Sequence, residues 1–207
     1  MGLFRNYVNQ TRKPEGFLGK IMVKGMNGGH AKLADWGMSH LSGTDPDRIA
    51  ELGCGGGRNT AELLKRYPKA KISALDYSLV SVEKAKALNK KMIEAGRCTV
   101  IQGNVADLPF ENGSMDLATA FETVYFWPGP VKSFAEVCRI LKPGGAFMIC
   151  NESDGKDETG KKFEKIIGGM KCYTVEEITA ALKEAGFTCV SSDHYSGKPW
   201  ITVIARK

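Results

Sequence analysis

Glu51 and the glycines at 53, 55, 56 and 57 close an apolar run, Ile49-Ala50-Glu51-Leu52-Gly53-Cys54-Gly55-Gly56-Gly57-Arg58. Helical spacing follows in Ala61-Glu62-Leu63-Leu64-Lys65-Arg66-Tyr67. The pattern predicts a strand, a tight glycine turn and a helix. Such a turn carries backbone N–H groups close to a nucleotide-like ligand at a helix N-terminus. A dinucleotide fingerprint needs a third small residue where helix and strand pack. That position falls on Arg58 or Thr60, according to the starting glycine. Glu51 would also repel a pyrophosphate, whereas it suits an ammonium or hydroxyl group held beside the loop. An ordinary glycine-rich strand–helix turn is the alternative, and the glycines alone do not separate the two.

A second acid narrows the choice. Lys71-Ile72-Ser73-Ala74-Leu75-Asp76-Tyr77 is an apolar run ending in Asp76. It lies about 20 residues past the glycine turn, where a nucleotide-binding α/β fold carries its ribose-binding carboxylate. Asp76 can accept from both ribose hydroxyls, and Tyr77 can pack on an adenine. The competing role for Asp76 is the N-cap of the next helix, which Ser78 serves equally well. A ligand with an ammonium group, a ribose and no phosphate fits Glu51, the glycines and Asp76 together. S-adenosylmethionine (SAM) is such a ligand.

These residues, with three further segments, resemble the class I SAM-dependent methyltransferases, in the broad small-molecule group called type 11. The matching residues are Glu51-Leu-Gly-Cys-Gly-Gly-Gly57, Ala74-Leu-Asp-Tyr-Ser78, Gly103-Asn-Val-Ala-Asp-Leu-Pro-Phe110, Met115-Asp-Leu-Ala-Thr-Ala120 and Leu141-Lys-Pro-Gly-Gly145. The resemblance implies a Rossmann-like, doubly wound α/β fold. Its sheet is mostly parallel and seven-stranded, with helices on both faces and an antiparallel last strand. It implies that the loop of Glu51, Gly53, Cys54, Gly55 and Gly57 lines the methionine moiety. Asp76 and Tyr77 would take the ribose and adenine, and Asn104 and Val105 would contact the adenine. The family usually has Asp at position 104; Asn104 is neutral but still accepts through its carbonyl oxygen. The segment Phe121-Glu122-Thr123-Val124-Tyr125-Phe126-Trp127 would face the transferred methyl. It lacks the Asn-Pro-Pro-Tyr type sequence of many amino-directed nucleic-acid enzymes.

The implied reaction is an in-line displacement of methyl from a sulfonium onto a small-molecule acceptor. Any base belongs near the end of the fourth strand or in the N-terminal region. The candidate catalytic residues are therefore Glu122, Tyr125 and His30. His30 follows Asn27-Gly28-Gly29, whose glycines allow close approach; a capping or solvent-facing histidine is the plainer reading. Phe126 and Trp127 suit either a substrate wall or the core. The three histidines lack metal-ligand spacing, so no metal is expected.

Strand-like runs at 48–53, 71–77, 98–103, 115–122, 145–152, 188–195 and 200–205 position these residues. Helical patterns at 59–67, 79–95 and 130–141 alternate with the first five, as in a parallel sheet covered on both faces. Thr174 with Glu177 forms a capping-box signature, and Gly186 ends that helix. Residues 1–44 precede the first strand, and Phe17, Leu18, Ile21, Met22, Met26, Leu33, Trp36, Met38 and Leu41 give them an apolar helical face. They are expected to form a helical lid, or a helix that simply packs on the sheet. Residues 45–207 form the SAM-binding domain. Within it, 153–173 is an insertion whose Ile166, Ile167, Met170 and Tyr173 are expected to add a wall to the pocket.

Composition sets the outer limits. A chain of 207 residues, 43% hydrophobic and 25% charged, is that of a globular protein with one substantial core. No run is long and apolar enough for a membrane span, and Met1-Gly-Leu-Phe-Arg lacks a secretory core, so a cytoplasmic protein is expected. Six scattered cysteines form no C-x-x-C pair and read as free thiols. The net charge of +6 is spread along helices without interleaved aromatics, which argues against nucleic acid. An RNA or protein methyltransferase and a non-catalytic SAM-binding module stay as alternatives. The acceptor atom and oligomeric state are left open.

Overall fold

The computed structural model describes residues 30–207. Seven strands form one sheet: β1 (Arg48–Leu52), β2 (Lys71–Asp76), β3 (Cys98–Gln102), β4 (Met115–Phe121), β5 (Leu141–Asn151), β6 (Cys189–His194) and β7 (Ile201–Arg206). Their order is β3-β2-β1-β4-β5-β7-β6. The first five strands pair in parallel, and β7 runs antiparallel to both β5 and β6. This is the expected doubly wound sheet with its antiparallel last strand. The chain winds outward from β1 to β3 and then returns to the other side of β1 at β4. The carboxyl ends of β1 and β4 thus flank a topological switch point, where a crevice opens.

The helices are α1 (Ala31–Ser39), α2 (Arg58–Arg66), α3 (Leu79–Leu88), α4 (Lys90–Glu94), α5 (Pro130–Ile140), α6 (Glu158–Ile166) and α7 (Val175–Glu184). Two apolar layers sandwich the sheet. One joins Phe134, Val137 and Ile140 of α5 and Ile178 and Leu182 of α7 to Ala50, Leu52 and Phe147. The other joins Leu33 and Met38 of α1, Leu63 and Leu64 of α2, and Val82 of α3 to Ile49, Ile72 and Met148. Ile49 and Ala50 are neighbours in sequence yet pack in different layers. Alternation of side chains along a strand requires this, and it explains why strands covered on both sides read as continuous apolar runs.

Two boundaries differ from the sequence reading, each for a local reason. The helix expected over 79–95 breaks at Asn89. Its buried side-chain amide donates to the carbonyls of Gly57 and Ala85, both at 3.0 Å, competing with the backbone ladder. Strand β5 starts at Leu141 instead of Gly145. Leu141 pairs with Met115, and a register shift before the Leu117–Ala146 pair absorbs the intervening Lys142-Pro143-Gly144-Gly145. The capping box at Thr174 and Glu177 forms as expected.

Of the N-terminal segment, residues 30–44 are described; Phe17, Leu18, Ile21, Met22, Met26 and the glycines at 28 and 29 lie outside the described residues. Helix α1 buries Leu33, Ala34 and Met38 against the sheet. Gly37 permits that approach, since a Cβ there would lie 2.6 Å from the Cys150 sulfur on β5. Gly37→Leu is therefore expected to overpack this contact and cost about 2 kcal/mol or more. A urea denaturation midpoint clearly below that of the parent checks this; an unchanged midpoint contradicts it.

Candidate functional site

A cavity of about 330 Å³ opens at the switch point. Its size suits a small-molecule ligand. The glycine turn forms its middle, with Gly53, Cys54, Gly55 and Gly56 against it and Arg58 and Asn59 continuing into α2. Gly53 takes a φ of +79°, and a Cβ on it would collide with Thr123. The turn therefore lies directly against the chain leaving β4. Gly55, with φ of +52°, would meet no atom within 4 Å if it carried a Cβ. It leaves the wall of the cavity clear for a ligand. Gly57 caps α2 in a left-handed conformation and does not line the cavity.

Asp76 fixes the turn from below. It is buried at the end of β2, and its carboxylate accepts the N–H of Gly55 and of Ser78, each at 2.9 Å. Burial raises its pKa above the ordinary carboxylate value, and those N–H groups oppose the rise. The Ser81 hydroxyl and the Tyr77 backbone also act on this carboxylate, which lines the cavity. Ser78, not Asp76, caps α3, so the capping role is already filled. Leu75, Tyr77, Gly103, Asn104 and Val105 complete this end. Asn104 Oδ1 accepts from Ala106 N at 3.0 Å, so one of its lone pairs stabilises its own turn.

Glu51 lies elsewhere. It is fully buried, is not among the lining residues, and accepts a hydrogen bond from the Thr60 hydroxyl on α2. Burial pushes its pKa up to about 8, and the nearby Asp76 adds to the rise. Cys54 lines the cavity, but burial pushes its thiol well above its ordinary value, which suits packing and not a thiolate nucleophile.

The opposite end gathers His30, Phe121, Glu122, Thr123, Phe126 and Trp127. Glu122 has a φ of +59°, a conformation uncommon outside glycine, which turns the chain sharply out of β4. Its Oε1 accepts from the Tyr125 hydroxyl at 3.1 Å and from the Glu152 backbone N–H. Burial pushes its pKa up to about 8, and the charge of Glu152 adds to that. Tyr125 does not line the cavity. Its buried hydroxyl donates to Glu122 and accepts from Ser153 N at 3.0 Å, and burial holds the phenol well above its ordinary pKa. It positions Glu122. Trp127 serves both roles considered for it: it packs on Phe134 and Phe147 in the core and also lines the cavity.

The insertion differs from expectation. No residue of 153–173 lines the cavity among the described residues. Ile167 and Cys172 are buried, Tyr173 packs on the core, and Lys171 N donates to Tyr125 O at 2.9 Å. The segment thus braces the turn that carries Tyr125. Two contributors lie outside the site residues expected from the sequence. Arg58 pairs with Asp35 of α1 at 2.6 Å and so ties α1 to the glycine turn. Glu152, at the end of β5, reaches His30 with 3.6 Å between Oε2 and Nε2.

The methyltransferase-domain family matches residues 50–149. Methyltransferase phqN of Penicillium fellutanum is 27% identical over 161 residues, covering 73% of this chain and 49% of that protein. Cycloartenol-C-24-methyltransferase 1 of Oryza sativa subsp. japonica is 25% identical over 152 residues, covering 69% and 44%. The chain spans about half the length of these relatives. A structure of the complex between the Haloferax volcanii Trm112 methyltransferase activator and a methyltransferase shares the fold. Its TM-score is 0.82 at 20% identity, covering 89% of this chain and 93% of that one.

Glu51 yields a prediction on stability. Its folded pKa of about 8 exceeds the ordinary value of 4.5, so the folded state holds a proton that the unfolded state releases. Its contribution is complete below pH 4.5 and is lost as pH rises toward 8. Thermal melts of the ligand-free protein between pH 5 and 8 should fall more steeply than those of Glu51→Gln, with the variant the more stable at pH 8. Parallel curves would contradict this protonation.

Proposed function

We propose that this chain, which belongs to the class I SAM-dependent methyltransferases, transfers a methyl group from S-adenosylmethionine to a small-molecule acceptor. The observation that carries the reading is the Asp76 carboxylate, which lines the cavity while bonding the glycine turn. It presents acceptors for ribose hydroxyls and presets the turn beside them. Leu75, Tyr77 and Val105 offer apolar surface for adenine, and Asn104 lies with them. The first turn of α2 and the Gly53–Gly56 backbone border the middle of the cavity, where the methionine part would lie. Bound SAM supplies an electrophilic methyl group on a sulfonium.

The protein's part is alignment and exclusion of water. Phe121, Phe126 and Trp127 supply an apolar wall at the acceptor end. Glu122 and His30 are the groups there able to take a proton, and Tyr125 orients Glu122. Residues 30–44 lie at the cavity through His30, Leu33 and Ala34, which supports reading 1–44 as a lid over the domain at 45–207. The small-molecule acceptor is favoured by the size of the cavity and by a relative named for cycloartenol. No helix among the described residues is long and apolar enough to cross a membrane.

Calorimetric titration with SAM and S-adenosylhomocysteine tests the reading. Micromolar binding is expected, weakened at least about tenfold in Asp76→Ala, the scale of one lost charge-assisted hydrogen bond. No binding by the parent protein would overturn it.

A further inference from the structure

The acceptor end of the cavity gathers acidic side chains that pair with no lysine or arginine among the described residues. His30, Glu122 and Glu152 each bring one side-chain N or O atom within 4.8 Å of the others. They come from the start of α1, the end of β4 and the end of β5. Among the described residues, neither carboxylate is paired with a lysine or arginine, and the ion-pair partner of Glu152 is His30. The chain holds 29 lysines and arginines, yet Arg58 alone of the described ones lines the cavity. Arg58 is already held by Asp35 at 2.6 Å and by Asn59 at 3.0 Å. Both bonds to Glu122 fall on Oε1, which leaves Oε2 for a ligand. Phe126 and Trp127 beside it add aromatic faces, which attract cations and not anions.

We infer that the acceptor is an amine, a nitrogen nucleophile that enters as an ammonium ion; this rests on the methyl-transfer reading above. Carboxylate- and phosphate-bearing acceptors are disfavoured, because among the described residues no lysine or arginine pairs with these acids and the Glu152 charge would repel an anion. The ammonium donates to Glu122, which lines the cavity, and Glu152, outside the lining but within 4.8 Å of the Glu122 carboxylate, adds its negative charge. The bound cation favours the ionised form of Glu122, whose proton burial otherwise retains, and one ammonium proton then passes to that carboxylate. The freed nitrogen lone pair then forms a C–N bond to the methyl carbon as the C–S bond breaks, its electron pair staying on sulfur. The products are a methylated ammonium ion and a neutral thioether. The proton on Glu122 leaves by way of Glu152, which is exposed to solvent.

The test uses the full chain saturated with S-adenosylhomocysteine, titrated calorimetrically with size-matched amines, alcohols, carboxylates and phosphate esters. Methyl transfer from SAM to each is followed by mass spectrometry. The expected result is binding and methylation confined to amines. Glu152→Gln, at an exposed position, should weaken amine binding about tenfold with S-adenosylhomocysteine affinity unchanged, and Glu122→Gln should weaken it further. Methylation of a carboxylate, phosphate ester or alcohol in preference to amines overturns the inference. So does amine binding indifferent to both variants, or S-adenosylhomocysteine binding with no amine bound. Micromolar Mn²⁺ binding by electron paramagnetic resonance, lost in Glu152→Gln and His30→Ala and unaccompanied by amine binding, would reassign the three residues to a metal. Failure to bind S-adenosylhomocysteine defeats the methyl-transfer reading itself, and the amine with it.

Discussion

The Asp76 carboxylate joins the glycine turn to the loop that follows β2. One oxygen accepts the Gly55 N–H and the other accepts the Ser78 N–H, so the turn after β1 and the turn after β2 share one anchor. Gly53 and Cys54 add bonds from their N–H groups to Leu75 O, at 2.7 and 3.0 Å. Asn89 holds the far side through Gly57 O. The glycine turn is thus fixed at several points along its length before any ligand arrives, and less ordering remains to be done on binding. The arrangement carries an electrostatic cost. Asp76 and Glu51 are both buried near each other, and each raises the proton affinity of its surroundings, Cys54 included.

A second constraint shapes the other end. β4 and β5 are parallel neighbours, so their carboxyl ends emerge side by side. Glu122 N donates to Cys150 O at 2.9 Å, and its carboxylate accepts from the backbone of Glu152. The left-handed conformation of Glu122 is held from both sides by this pairing and by Tyr125. Strain of this kind persists where the surrounding structure over-determines it, and functional sites are where such residues gather. The sheet therefore places a ribose-type acceptor at the end of β2 and an acidic corner at the ends of β4 and β5, with the glycine turn between them.

The sequence made one half of this legible and hid the other. The strands, the glycine turn and Asp76 could be read because their signals are local: apolar runs, a glycine cluster and an acid at a fixed offset. Asn89 could not be read as a helix break, because its partner Gly57 lies 32 residues away. Arg58 counted against a dinucleotide in the sequence, and only the fold reveals its second role with Asp35. His30 and Glu122 could be named singly, but Glu152 had no motif, and the three meet only through sheet topology. The insertion at 153–173 misled because apolar residues near a pocket in sequence need not face it. Here the segment instead braces Tyr125 through the backbone N–H groups of Ser153 and Lys171.

In this reading one ligand spans from Asp76 to the Glu122 corner. A crystal structure of the protein with S-adenosylhomocysteine tests this most directly. The ribose hydroxyls are expected on Asp76, adenine beside Val105, and sulfur pointing toward Phe121, Glu122 and Trp127. A ligand bound with its sulfur at the Asp76 end, or seated outside this cavity, would contradict it.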